Sequence, residues 1–281
     1  MRVLSPSRTR RWKRRQAILF PPTQRVIYHE NPLVEVVCQF RFPTILKIDA
    51  EIPVAFQEAV RSTFPDYTPT VEHAHNVELT DTNGQTDTYT SHTTTNHAFI
   101  SADRKWRVNL TSGFIALSTL NYKRWEEFRD MLVAPLQALM SIYAPSHFNR
   151  VGLRYTDAID RIGLGLGTCR WTDLVKPEML GMLASATLPE SVITHATQVS
   201  ELRLDDETAM VINAGLGSAE GKNNPCLIVD TDTFTTATHT ATTEAALEVL
   251  DGLHAPISNY FQWAIQPKLH AALGPEDIKE V

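Results

Sequence analysis

The chain has 281 residues, of which 43% are hydrophobic and 21% are charged, and its formal net charge is −6 at pH 7. This composition excludes disordered and fibrous classes, and the longest apolar runs, such as Val34 to Val37, are far shorter than the roughly 20 residues that cross a bilayer. Three scattered cysteines, Cys38, Cys169 and Cys226, form neither a disulfide framework nor a C-x-x-C metal pair, so we expect a globular cytoplasmic protein without membrane contact.

The N-terminal segment is basic. Residues 1–16 hold seven of the 26 Lys and Arg residues and no acidic residue, so the rest of the chain is acidic. The apolar run Ala17 to Phe20 ends at Pro21-Pro22 and is shorter than the apolar region of a signal peptide, which spans about 7–15 residues. We interpret residues 1–25 as a flexible arm. It is either a solvated tail, a start upstream of the native one, or a nucleic-acid contact.

The first half begins with a strand, because residues 34–42 alternate apolar and polar side chains. Pro53 opens a helix that Pro65 closes. Residues 67–97 are polar and predict a hairpin or a long excursion. Strands over 98–102, 106–111 and 114–119 follow, and then a helical apolar stripe from Trp125 to Tyr143, which we expect Pro135 to kink.

The second half has the same order of elements. Alternation from Val151 to Ile159 predicts a strand, and residues 171–183 are predicted to form a helix. Three strands over 197–204, 209–214 and 226–232 follow, and then a long helix from about Thr243 to Ala264.

A seven-residue pattern, D-x-L-x-A-P-[LI], occurs at 130–136 and again at 251–257, inside the two long helices. Together with the matching order of elements it indicates an internal duplication. We predict an α+β fold in which antiparallel sheet(s) are covered by two long helices, because each half needs cover for one sheet face and one helix stripe. Residues 26–146 would form the first repeat, 147–273 a second repeat packed on the first, and 274–281 a C-terminal tail.

Four segments carry a likeness to known sequences: Asn31-Pro-Leu-Val-Glu-Val-Val-Cys-Gln-Phe-Arg-Phe-Pro43, Arg150-Val-Gly-Leu-Arg-Tyr155, residues 114–119 and residues 227–232. In these segments, and over roughly Tyr28 to Leu273, the chain resembles a sporadically distributed, uncharacterised family of bacterial proteins of about this length. The resemblance implies no activity, catalytic residue or cofactor. The patchy distribution implies mobile genes and an accessory role such as defence.

Cationic side chains are the main candidate site. Strand alternation places five of them on the face of the sheet opposite to the core, where they could hold an anionic ligand or a nucleic-acid backbone: Arg41, Lys105, Arg107, Arg150 and Arg154. The alternative is that they are ordinary solvent-facing or salt-bridged residues, with Glu35 neutralising one arginine. Because Trp106 and Tyr155 are predicted to face the core, the stacking platforms of single-strand binding are missing.

Other patterns are weaker. His73 and His75 lie near further His and acidic residues, but without the spacing of a zinc site. Asp230 and Asp232 share one strand face and could hold magnesium, or could be acidic residues entering a turn. Residues 163–167 are glycine-rich but lack the spacing of a nucleotide loop, and Cys38 lies on an apolar strand face. We therefore expect no metal, no cofactor and no catalytic residue.

The composition and the patterns favour a non-enzymatic interaction protein that binds a protein partner or an anionic ligand. Two alternatives stay open: a small-molecule or enzymatic pocket between the sheet and the long helices, and nucleic-acid binding through the basic arm and the cationic face. The sequence also leaves a homo-oligomer open.

Overall fold

The computed structural model describes residues 19–73, 78–80, 86–88, 93–220 and 224–277. The basic residues 1–16 and the histidines His75 and His92 lie outside these residues. The elements of the first half are β1 Val26–Tyr28, β2 Leu33–Arg41, α1 Leu46–Ala50, α2 Val54–Val60, β3 Asp66–His73, β4 Glu78–Thr80, β5 Thr86–Thr88, β6 Thr93–Ile100, β7 Trp106–Leu110, β8 Phe114–Thr119 and α3 Trp125–Ile142. Those of the second half are β9 His147–Phe148, β10 Arg150–Ile159, β11 Thr197–Arg203, β12 Thr208–Gly217, β13 Cys226–Thr235, β14 His239–Thr240, α4 Thr243–Ala264, α5 Pro267–Ala272 and β15 Pro275–Asp277.

A nine-stranded antiparallel sheet is the centre of the fold, with strand order β11-β12-β13-β10-β2-β8-β7-β6-β3. The two central strands, β2 and β10, come from different halves of the chain and pair antiparallel from Arg150 opposite Arg41 onward. The α+β class with a large antiparallel sheet is therefore confirmed. The β3–β6 pair shows that part of the polar region 67–97 is a hairpin, one of the two forms expected.

The alternation of side chains along β2 produces one buried face. Val36, Cys38 and Phe40 are fully buried, whereas Arg41 is exposed. The core continues through the apolar stripes of α3 and α4, which bury Leu132, Leu136, Leu250, Leu253 and Ile257 among others. Helix α4 contacts β10 and β13, and α3 contacts α2 and α4. Pro135 lies inside α3 and Pro256 inside α4, as the sequence predicts.

The helix predicted over residues 171–183 is wrong. This region contains three separate single-turn 3₁₀ segments, Trp171–Asp173, Pro177–Met179 and Gly181–Ala184. Pro177 cannot supply the amide that would continue a helix from the preceding turn. Gly181 has φ +51°, a left-handed conformation that interrupts the ladder. Trp171 and Leu183 are nevertheless buried. The spacing of apolar residues therefore predicted correctly which side chains are buried, but it did not predict the backbone conformation.

The two ends of the described chain meet each other. Strand β1 pairs antiparallel with β15, within the segment expected to be a C-terminal tail. Phe20, from the segment expected to be an arm, is buried against the rings of Tyr260 and Trp263. Residues 20–28 therefore pack on α4 and form one wall of the cavity described below. Among the described residues, no helix has the length and apolarity that a membrane crossing requires.

Candidate functional site

Four of the five predicted cations lie on one face of the sheet. Arg41 and Arg150 are direct partners on β2 and β10. Arg154 and Arg107 share a row across the sheet, because Arg154 pairs with Val37, Val37 with Ser118, and Ser118 with Arg107. We call this surface the outer face. Lys105 lies just before β7, in the turn, and its backbone N–H donates to the Asp103 carboxylate at 3.1 Å.

Acidic neighbours neutralise two of these arginines. Arg150 donates to Asp232 at 2.8 Å, and its guanidinium lies 4.5 Å from the centre of the Phe234 ring. Arg154 donates through two nitrogens to the two carboxylate oxygens of Asp230, each at 2.6 Å, and this contact raises the pKa of Arg154. The acidic pair that could have held magnesium therefore makes ion pairs with the adjacent strand.

The remaining cations form no focused site. Arg41 donates to Gln39 at 2.8 Å, and neither Arg41 nor Arg107 has an acidic partner within 4 Å among the described residues. Because Arg150 and Arg154 are already paired with carboxylates, the outer face offers two separated guanidinium groups without an acidic partner among the described residues, instead of a cluster of five cations.

A cavity of about 230 Å³ lies on the opposite, buried side of the sheet. Its walls come from four parts of the chain: residues 23–33 including β1, the segment before α3 with its first turn, the end of β10, and one face of α4. Aromatic rings form much of the lining, namely Tyr28, Tyr122, Trp125, Tyr155 and Phe261. Polar and charged side chains such as Arg25, Asp157 and His254 lie among these rings.

Asp157 is the most unusual group in this cavity. The residue is only 5% exposed, although it carries a carboxyl, and it lines the cavity. Among the described residues no side chain or backbone group donates a hydrogen bond to it and no cation pairs with it, and burial alone raises its pKa to about 8. At neutral pH the carboxyl is therefore mainly protonated.

A β-bulge accompanies Asp157. The β10–β2 register shifts between Thr156 and Asp157, so that Thr156 faces Glu35 and Asp157 faces Leu33. Bulges redirect side chains and are common beside active sites. The Ala158 amide still finds a partner, the Pro32 carbonyl at 2.8 Å, and this contact joins the bulge to the cavity wall.

Tyr155, two residues earlier on β10, connects the cavity to α4 and to the segment before α3. Its hydroxyl donates to the Tyr122 hydroxyl at 3.3 Å and lies 2.8 Å from Nδ1 of His254 on α4. Burial, followed by the nearby charge of Arg25, lowers the pKa of His254 to about 4, so the imidazole is neutral at pH 7. Burial raises the pKa of Tyr122 to about 12.

Trp125 holds His254 in place. The two rings stack with centroids 4.2 Å apart and planes 2° apart. The indole N–H donates to Asp251 at 2.8 Å, and Arg129 donates to the same carboxylate at 3.3 Å. Asp251 is the first residue of the second D-x-L-x-A-P-[LI] segment, so one position of this pattern ties α4 to the start of α3.

The cavity rim is basic. Arg25 pairs with Glu126, and a second contact between them measures 2.8 Å, while Lys123 and Arg124 are exposed lining residues. Helix α3 begins at Trp125 without a side-chain cap. Its first turn also carries the carboxylates of Glu126 and Glu127, of which Glu126 is engaged by Arg25.

The sequence contains a signal for Asp157 that no motif marks. Alternation places Val151, Leu153, Tyr155 and Ile159 on one side of their strand, and Asp157 has the same parity. A buried polar residue is the informative exception to the burial rule. The contact between Tyr155 and His254 had no comparable signal, since 99 residues separate them.

The weaker candidates that the structure describes do not form sites. Among the described residues no group of three or more His, Cys, Asp or Glu side chains could hold a metal ion. His73 ends β3. In the glycine-rich segment the Gly163 amide donates to Asp160 at 2.9 Å, which closes a turn. Cys38 is fully buried, and burial raises the pKa of its thiol to about 12.

A scan against protein-family models, a search of curated proteins and a search of solved structures each found no match to the chain. The resemblance to a bacterial family stays a prediction.

Proposed function

We propose that this protein binds a small molecule in the cavity beneath β10, between the start of α3 and the middle of α4. The observation that carries this proposal is Asp157, a residue only 5% exposed that lines the cavity and whose carboxyl has no hydrogen-bond donor or cation beside it among the described residues. A carboxyl withdrawn from bulk water is unfavourable unless it is paired or hydrogen-bonded, so a ligand that satisfies it gains binding free energy.

The surroundings of Asp157 support recognition of a specific ligand. Stacking on Trp125 and the contact with Tyr155 fix the orientation of His254, and Asp251 fixes Trp125. Such a site is organised before the ligand arrives, which reduces the entropy lost on binding.

The evidence that the outer face binds a partner is weaker than the evidence for the cavity. Two arginines of the outer face are held by Asp230 and Asp232, and strand β8 lies between the strands that carry Arg41 and Arg107. We therefore centre the functional proposal on the cavity.

We further propose that the scaffold is a duplicated module whose halves are β2 to α3 and β10 to α4. Two features support this proposal. The strand order leads outward from the central β2–β10 pair as β8-β7-β6 on one side and β13-β12-β11 on the other, and each half ends in a long helix with an internal proline. In this arrangement the cavity would lie beside the junction of the halves.

A ligand-observed NMR screen tests the binding proposal. Small amines, carboxylates and uncharged polar compounds are each presented to the wild-type protein, to Asp157→Asn and to Asp130→Asn. We expect at least one class to bind, to lose about tenfold or more in affinity with Asp157→Asn, and to be unaffected by Asp130→Asn, because Asp130 is exposed on α3 outside the cavity. Absence of binding in all three classes, or binding that is indifferent to Asp157, would refute the proposal.

A further inference from the structure

We infer that the cavity ligand is a small zwitterion whose protonated amine contacts Asp157 and whose anionic group lies at the rim beside Lys123 and Arg124. This inference rests on the proposed binding function and specifies its ligand class. Three features of the cavity support it: an unpaired acid inside, aromatic walls, and positive charge at the mouth.

The interior favours a cation. Asp157 is the buried acid in the cavity lining and lacks a hydrogen-bond donor or a cation among the described residues. In the empty cavity a proton neutralises it, and an ammonium group can take the place of that proton while donating to both carboxylate oxygens. Rings such as Tyr28, Tyr155 and Phe261 line the same space and attract a cation through their π-faces.

The rim favours an anion. Glu126 neutralises Arg25, but Lys123 and Arg124 have no acidic partner within 4 Å among the described residues. Helix α3 begins directly after Arg124 without a side-chain cap, and its first turn carries Glu126, which Arg25 engages, and Glu127. The start of a helix does not by itself define a binding site. The independent sign of a ligand in this cavity is Asp157, a buried acid without a partner among the described residues.

The volume limits the ligand's size. A cavity of about 230 Å³ lies below the range of roughly 300–1,000 Å³ that drug-sized ligands occupy. A molecule of amino-acid dimensions, with its charges separated by a short apolar chain, matches the volume, the charges and the walls together.

Three homologous series test this inference: ω-amino acids of increasing length, the corresponding n-alkylamines and the corresponding n-alkanoates, each titrated by calorimetry. We expect an optimum length at which the ω-amino acid binds at least about tenfold tighter than the amine or the acid of the same length. Asp157→Asn should lower the affinity for the ω-amino acid by about tenfold or more, whereas the matched control Asp130→Asn should leave it unchanged. The double variant Lys123→Ala/Arg124→Ala should lower the affinity for the ω-amino acid more than the affinity for the amine, because only the ω-amino acid has an anionic group to contact the rim.

The pH dependence of amine binding is a second readout that needs no variant. A cation requires ionised Asp157, so affinity for an amine that stays protonated should rise about tenfold per pH unit up to about pH 8. The other titratable or charged groups that surround this site are Arg25, Tyr28, Tyr122, Lys123, Arg124, Glu126, Tyr155, His254 and Tyr260. His254, neutral above its pKa of about 4, and Tyr28 and Tyr122, with pKa values of about 12, do not change charge between pH 6 and 8. Burial raises the pKa values of Tyr155 and Tyr260 as well, and the contact with Arg25 lowers the pKa of Glu126 to about 2, so these groups also keep their charge in this interval.

The outcomes separate this inference from the proposal beneath it. If alkanoates or uncharged compounds bind in an Asp157-dependent way and ω-amino acids do not, the zwitterion inference fails and the binding function stands. If amines and ω-amino acids bind with equal affinity, the anionic group makes no favourable contact with Lys123 and Arg124, and the inference of a zwitterionic ligand is wrong. If no compound of any class binds, both proposals fail.

Discussion

Asp157 binds its proton more tightly in the folded chain than in the unfolded one, since burial raises its pKa to about 8 from an unperturbed value near 4. Between these two values the folded state retains a proton that the unfolded state has lost, so the contribution of Asp157 to stability falls as pH rises. His254 acts in the opposite direction between its folded pKa of about 4 and its unfolded value near 6.5.

Asp157→Asn should therefore gain stability over the wild type as pH rises. An amide has no proton to lose, so we expect the advantage to grow by up to about 1.4 kcal/mol per pH unit between about pH 5 and pH 8. Urea unfolding at both ends of this interval measures the effect, and the contribution of His254 cancels in the comparison. A difference that does not change with pH would show that Asp157 is not buried as a neutral acid.

The three cysteines differ in burial, which predicts their reactivity. Cys38 and Cys226 are fully buried, whereas Cys169 is partly exposed, with the Lys268 ammonium 3.6 Å from its sulfur. We expect a thiol reagent to label Cys169 quickly in the native protein and all three cysteines in denaturant. Mass spectrometry of the labelled peptides identifies the sites, and fast labelling of Cys38 in the native state would contradict the burial of β2.

At the scale of elements, the start of α4 depends on one side chain. Thr242 accepts a hydrogen bond from the Ala245 amide at 3.2 Å and so caps the helix that carries His254. Thr242→Ala should destabilise the protein by about 1 kcal/mol, within the range of roughly 0.5–2 kcal/mol for lost caps. Thr238→Ala, an exposed threonine just before β14, is the matched control. Equal unfolding midpoints in urea for the two variants would argue against the cap.

The elements also show which sequence patterns were reliable. Strands β2, β7, β8 and β10 and helices α3 and α4 agree with their predictions within one or two residues. In each of these elements the hydrophobic period extends over many residues, so it indicates clearly which face is buried. The helix predicted over 171–183 failed because its apolar spacing was genuine but Pro177 and Gly181 break the backbone pattern.

At the scale of the whole molecule, pairing of β2 with β10 makes one sheet from both halves of the chain. Leu117 on β8 and Leu227 on β13 lie far apart in the sheet, and both are fully buried in the same core cluster. We expect Leu117→Ala and Leu227→Ala each to cost about 2–5 kcal/mol. Each should lower the midpoint of a single urea transition seen identically by circular dichroism and tryptophan fluorescence. Two transitions that respond separately to the two variants would mean that the halves unfold independently.

Local chemistry explains what could be predicted from the residues alone. Alternation and helical spacing are relations between near neighbours along the chain, so they revealed most elements, the α+β class and the shared face of Arg41, Arg107, Arg150 and Arg154. The partners of those arginines are not near neighbours, because Asp230 is 76 residues from Arg154. The cavity depends still more on long-range packing. Tyr155, Asp157, His254 and Arg25 meet only because β10, α4 and the N-terminal segment pack around one space. Whether a carboxyl is solvated or buried without a partner depends on that packing, and it is burial that moves the pKa of Asp157 to about 8.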